Sequence, residues 1–196
     1  MKFKLSTATI IFSLISAWLI PSGIEAQMRG RGPMGGMWSR QDVNIPEKLP
    51  QPKSQEWKDK LQEIYVNEVY SQAQYEADFR AHQIPRPYRM IIPQEQQHID
   101  WISRLLKAYG LIPSTQRLQV IETKSLEEAY AVGKKLEADL VPHYEWLIKN
   151  AEDDTARQVL EVVLLETRHH YVMFDHAGGM GGPGGRGPGR GGMRGY

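Results

Sequence analysis

Apolar residues recur at intervals of three and four through most of the chain between residues 54 and 176, the period of helices that bury one face. Where that period starts and stops predicts four helices. The first covers residues 54–82 and ends before Pro85 and Pro87, which block its continuation. The second runs from near Ile92 to Tyr109 and is closed by Gly110, with Pro113 beyond. The third opens on Ser125, with Glu128 three residues on as a capping box, and continues to about Asn150. The fourth begins at Asp153 or Asp154, where acids suit a helix N-terminus, and reaches Asp175. No segment alternates as a strand would, so the fold class is all-α.

Each predicted apolar stripe is interrupted by a glutamate. The stripes are Leu61, Ile64, Tyr65, Glu68, Gln72, Tyr75 and Phe79; then Ile91, Glu95, His98, Ile102, Leu105, Leu106 and Tyr109. The third helix gives Leu126, Tyr130, Gly133, Glu137, Leu140, Val141, Tyr144 and Ile148, and the fourth gives Val159, Val162, Val163, Glu166, His169, His170 and Met173. Glu68 and Tyr75 stand seven apart, as do Glu137 and Tyr144, while Glu95 and His98 stand three apart, as do Glu166 and His169. Both spacings keep the paired residues on one helical face. The order Glu-x6-Tyr, then Glu-x2-His, is thus stated twice, which predicts two helix pairs related by a pseudo-twofold axis.

A core tolerates such a set only on terms. A buried ionised carboxylate costs several kcal/mol unless paired, so four converging glutamates would repel one another and protonate. Two divalent cations balance four carboxylates, and two neutral imidazoles complete the donor set without adding charge. Oxygen donors with one imidazole per metal suit iron or manganese, and ligand type excludes zinc only weakly. Tyr75 and Tyr144 are placed to orient the ligands through their hydroxyls.

Composition adds the ends. Lys2 and Lys4 precede an apolar run from Ala8 to Ile20, broken by Pro21 and Gly23 ahead of Ala26. Residues 1–26 therefore read as a secretory signal, and the run is shorter than the roughly 20 residues of a spanning helix. The expectation is a secreted or periplasmic protein with no transmembrane span after cleavage. Cysteine is absent, which excludes disulfides and thiolate-held iron–sulfur clusters. The net charge of +1 conceals a partition: six arginines lie in glycine-rich flanks, and residues 41–176 carry −6. Residues 27–53 and 177–196 are expected to be disordered arms. Their arginines suit anionic surfaces, export disfavours nucleic acid, and their methionines offer a further route to copper(I).

The pairing of one glutamate from each of two helices with a Glu-x-x-His from each of the other two resembles the ferritin-like di-iron carboxylate proteins. More narrowly, Glu95-Gln96-Gln97-His98-Ile99-Asp100, Leu105-Leu106-Lys107-Ala108-Tyr109-Gly110 and Ser125-Leu126-Glu127-Glu128-Ala129 are similar to the uncharacterised ferritin-like domains of bacteria and archaea. The resemblance implies a ferritin-like up-down-up-down four-helix bundle over residues 54–176. It also implies bridging roles for Glu95 and Glu166, terminal roles for Glu68 and Glu137, and one metal each for His98 and His169. It would align a histidine with His170, whereas the Glu-x-x-His spacing selects His169, so His170 stands as the alternative. Pro142 is expected to kink the third helix, and Pro93 to begin or bend the second. Three functions remain open: ferroxidase or peroxide-scavenging chemistry with dioxygen or peroxide, metal sequestration without turnover, and a metal-free scaffold. A homodimer is compatible with each.

Overall fold

The computed structural model describes residues 43–179. Within them stand four helices: α1 (Gln55–His82), α2 (Tyr88–Ala108), α3 (Leu126–Lys149) and α4 (Asp154–Gly179). The local signals act much as their chemistry dictates. Ser54 caps α1 by accepting from the Trp57 N–H at 3.1 Å, and Ser125 caps α3 by accepting from the Glu128 N–H at 3.1 Å. The Glu128 carboxylate reaches back one residue beyond the cap, to the Lys124 N–H at 2.7 Å. Asp153 Oδ1 accepts from the Ala156 N–H at 2.8 Å at the head of α4. Gly110, at φ +71°, ends α2 in a Schellman arrangement, with Leu111 N donating to Leu106 O and Gly110 N to Lys107 O.

Two helices extend further than expected. α2 starts one turn before Ile92 and carries Pro93 inside it; the lost N–H removes one backbone bond, while Tyr88 and Ile91, both fully buried, anchor that turn in the core. α4 continues to Gly179, three residues into the expected tail. α3 continues through Pro142.

The bundle is ferritin-like, but its helix directions do not alternate. The connection from Gly110 to Lys124 runs the length of α1: Gln62 donates to Ile112 O and accepts from Ser114 N, Gln74 pairs with both backbone groups of Ile121, and Thr123 donates to Asp78. It therefore delivers α3 to the end of the bundle where α2 began, and Trp57 Nε1, at the head of α1, donates to Leu147 O near the end of α3 at 3.0 Å. The order is up-down-down-up, in place of the expected up-down-up-down. About 15 extended residues reach some 50 Å, more than enough to cross a 21-residue helix of about 32 Å.

The apolar core falls into two clusters. One, at the head of α1, gathers Trp57, Leu61, Ile64, Trp101, Ile102, Leu105, Leu106, Leu140, Leu147, Val159 and Val163; the other gathers Tyr75, Tyr88, Ile91, Ala129, Tyr130 and Phe174. Ile45 packs into the first, and Leu49 N donates to Ala108 O at 2.8 Å. Residues 43–53, expected as part of a disordered arm, thus lie on the bundle because Ile45 and Pro52 are buried there. The expected signal segment, the rest of the expected first arm and the chain beyond Gly179 lie outside the described residues. No helix among the described residues is long and apolar enough to cross a membrane.

Candidate metal centre

Between the two apolar clusters lies a polar layer. Every helix contributes to it: Glu68 from α1, Glu95 and His98 from α2, Glu137 from α3, and Thr167 and His170 from α4, all with 1% or less relative exposure. The donor atoms form two groups, Glu68–Glu95–His98 and Glu95–Glu137–His170, in each of which they lie within 4.8 Å of one another. Glu95 belongs to both.

The contacts are nearly twofold. Tyr75 donates to Glu137 Oε1 at 2.7 Å, and Tyr144 donates to Glu68 Oε1. His98 places Nδ1 3.1 Å from Glu68 Oε2 and Nε2 2.8 Å from Glu166 Oε2. His170 places Nδ1 2.9 Å from Glu95 Oε1 and 3.5 Å from Glu137 Oε1, with Nε2 3.1 Å from Gln94 Oε1. The two imidazoles stack across the centre with centroids 5.5 Å apart. Despite those short approaches, His170 Nδ1 and Glu95 Oε2 have no hydrogen-bond partner. Both residues belong to the Glu95–Glu137–His170 donor group, and a metal ion accepting their lone pairs would satisfy them.

Electrostatics shows what protons do in the same layer. Burial, then the charges of Glu68 and Glu137, push Glu95 well above the ordinary carboxylate range. For Glu68 burial acts upward as well, but the His98 charge and bonds outweigh it and hold the group below its ordinary value. Burial works against a charged His98, yet Glu68 and the bond to Glu166 raise it to about 10. Tyr75 and Tyr144 are pushed far up by burial and by the carboxylates, so their hydroxyls stay protonated donors. Without a metal, burial and the neighbouring carboxylates thus favour the neutral form of Glu95, while the contact between Glu68 and His98 favours the charged form of each.

Of the residues singled out from sequence, Glu68, Glu95, His98 and Glu137 come together with Tyr75 and Tyr144 around them. The fourth helix differs. His170 is the buried histidine, and His169 lies on the exposed side of α4. Glu166 sits at the edge of the layer, its side chain 13% exposed, behind His98 and in neither donor group. The stripe that α4 buries is Ala156, Val159, Leu160, Val163, Leu164, Thr167, His170 and Phe174, rotated from the expected one. Val162-Val163-Leu164-Leu165 puts an apolar residue on every side of the helix, so periodicity there does not fix the phase.

The internal repeat fixes it instead. Glu68 maps to Glu137 and Tyr75 to Tyr144 at a separation of 69, while Gln94 maps to Glu166, Glu95 to Thr167 and His98 to His170 at a separation of 72. Gln94, absent from the sequence reading, is the counterpart of Glu166, and each holds the back of the other half's imidazole.

Comparison with known proteins places this geometry. The family model described as Rubrerythrin matches residues 61–178. Among solved structures, a ferritin-like, diiron-carboxylate protein from Bacillus anthracis str. Ames is 20% identical, over 63% of this chain and 95% of its own, with a TM-score of 0.56. The Desulfovibrio desulfuricans bacterioferritin, solved with its diiron site in different catalytic states, is 16% identical over 64% and 79%, with a TM-score of 0.59. A hypothetical protein from Methanococcus jannaschii is 20% identical over 69% and 85%, at 0.60. The comparison with curated proteins returned no match.

Proposed function

The chain belongs to the rubrerythrin family, and on that footing we propose that its bundle holds a di-iron centre on Glu68, Glu95, His98, Glu137 and His170, working as a ferroxidase or peroxide scavenger. The observation that carries this reading is the pair of three-donor groups sharing Glu95 in a layer closed on both sides by apolar clusters. Carboxylate oxygens with one imidazole on each side fit iron by ligand type. The diiron centres of two of the similar proteins favour iron over manganese and zinc, which the donor set alone left open.

Iron ions bound there supply reversible electron exchange with dioxygen or peroxide. The chain's own residues prepare the place. Tyr144 and Tyr75 fix the rotamers of Glu68 and Glu137 by donating to Oε1 of each, and Glu68 Oε2 is left facing His98 Nδ1. Glu166 and Gln94 hold Nε2 of the two histidines, which turns both Nδ1 atoms inward. Ligation would need Glu95 ionised and His98 neutral, against the direction in which their surroundings push both, so uptake would be coupled to proton release. The apolar clusters keep bulk water from the layer, which strengthens every charge interaction within it.

The test is iron content. The full chain, loaded with Fe²⁺ under anaerobic conditions and desalted, is expected to retain about two ions, as di-iron bundles do. Glu95→Ala, which removes the shared ligand, is expected to retain almost none; unchanged iron in that variant would contradict the reading. Continued Fe²⁺ oxidation beyond the bound pair supports a ferroxidase. A single stoichiometric uptake, with peroxide left unconsumed, contradicts the catalytic part and leaves a sequestering module.

A further inference from the structure

The internal repeat allows the two halves of the centre to be compared position by position, and they are unequal at two places. Where α2 offers Glu95 to both donor groups, α4 offers Thr167, whose hydroxyl turns back to donate to Val163 O at 2.9 Å. The layer therefore has one shared carboxylate, not two. Behind the imidazoles the inequality is one of charge: His98 Nε2 meets the Glu166 carboxylate at 2.8 Å, and His170 Nε2 meets the neutral Gln94 amide oxygen at 3.1 Å. The tyrosine donors are matched on the two sides and cancel.

We infer that the two metal positions fill in order, the Glu68–Glu95–His98 position first, and that Glu166 is the positioning residue that sets the order through His98. This rests on the di-metal reading above. A hydrogen bond to a carboxylate is roughly twice as strong as one to a neutral acceptor, and it leaves the opposite imidazole nitrogen the better donor to a cation. Beyond Glu95, which both positions share, the first has two carboxylates near it, Glu68 and Glu166, and the second has Glu137 alone. Glu166 is partly open to solvent, so its charge is screened more than those of the buried three and its pull is moderate.

Titration of the full chain with Mn²⁺, followed by electron paramagnetic resonance, reads the order directly. A lone Mn²⁺ gives an isolated-ion signal, and a neighbouring pair gives an exchange-coupled one. The expected result is an isolated signal through the first equivalent, a coupled signal growing only in the second, and affinities at least about 10-fold apart. Glu166→Gln is expected to keep both ions, weaken the first step by about 10- to 100-fold and bring the coupled signal in from the first addition. Adding Gln94→Glu to that variant moves the carboxylate to the opposite half and is expected to restore two separate steps, a rescue that a purely structural role for Glu166 would not give. A coupled signal from the outset in the unaltered chain overturns the inference. So does a Glu166→Gln chain that titrates unchanged, one that loses an ion outright, which would make Glu166 a ligand, or a double variant that is not restored. A chain that takes up neither Mn²⁺ nor Fe²⁺ overturns the di-metal reading itself, and this inference with it.

Discussion

In the metal-free layer the proton on His98 does part of the work that a cation does in the loaded one. His98 is raised from 6.5 to about 10. Its contribution to stability is therefore complete below about pH 6.5 and is lost as pH rises through about 10. Glu95 has the same sign: raised by burial and by its neighbours, it stabilises the fold while protonated and costs stability as rising pH removes that proton. Glu68 is held below 4.5, so its contribution is present above that value and is lost as pH falls through its depressed one. The metal-free protein is expected to have a melting temperature that falls steadily from about pH 6.5 toward 10, and the iron-loaded protein one that changes little over the same range. Melting curves of both forms across that window check it, and parallel curves would contradict the protonation scheme. At this scale most of the layer was legible: Glu68, Glu95, His98, Glu137 and both tyrosines declare themselves by interrupting apolar stripes. Gln94 and Thr167 did not, and His170 stood only as the alternative to His169, because the choice between them depends on a helix phase that no single residue carries.

That phase belongs to α4 as an element. Its apolar run from Val162 to Leu165 surrounds the helix, and packing against its neighbours, α3 above all, decides which side is buried. The decisive contact is close. A Cβ at Gly133 would stand 2.7 Å from the Phe174 ring, and Gly133 and Phe174 lie one turn from Glu137 and His170 respectively. Gly133 thus lets α3 and α4 approach where they bring those two donors together. Gly133→Ala is expected to overpack this contact and cost about 1–3 kcal/mol in denaturant unfolding; an unchanged midpoint would mean that the ring yields freely and does not set the phase. The helix ends, by contrast, follow from local chemistry. Ser54, Ser125, Asp153 and Gly110 act within one turn of their own sequence, which is why the boundaries were readable. The start of α2 lies earlier than the expected Ile92 because burial of Tyr88 and Ile91 outweighs one missing backbone bond at Pro93.

The whole molecule is organised by where its polar layer sits. A buried ionised group costs several kcal/mol, and a fully buried Leu or Ile returns about 1.5–3 kcal/mol. The apolar clusters at both ends of the bundle therefore hold a strained middle, and the layer gains most from a ligand that brings positive charge. Four helices and their class were legible because amphipathic periodicity is a local property. Helix direction was not, because it depends on the path of the Gly110–Lys124 connection, whose bonds to Gln62, Gln74 and Asp78 of α1 are long-range and polar. Burial of Ile45 went unread for a related reason: an isolated apolar residue in a proline-rich segment has no period. The central claim is that two metal ions share Glu95 in this layer. X-ray diffraction from iron-loaded crystals, recorded at the iron absorption edge, tests it most directly. The account predicts two anomalous peaks about 3.5–4 Å apart, one bounded by Glu68, Glu95 and His98 and the other by Glu95, Glu137 and His170. A single peak, or one coordinated by Glu166 or His169, would contradict it.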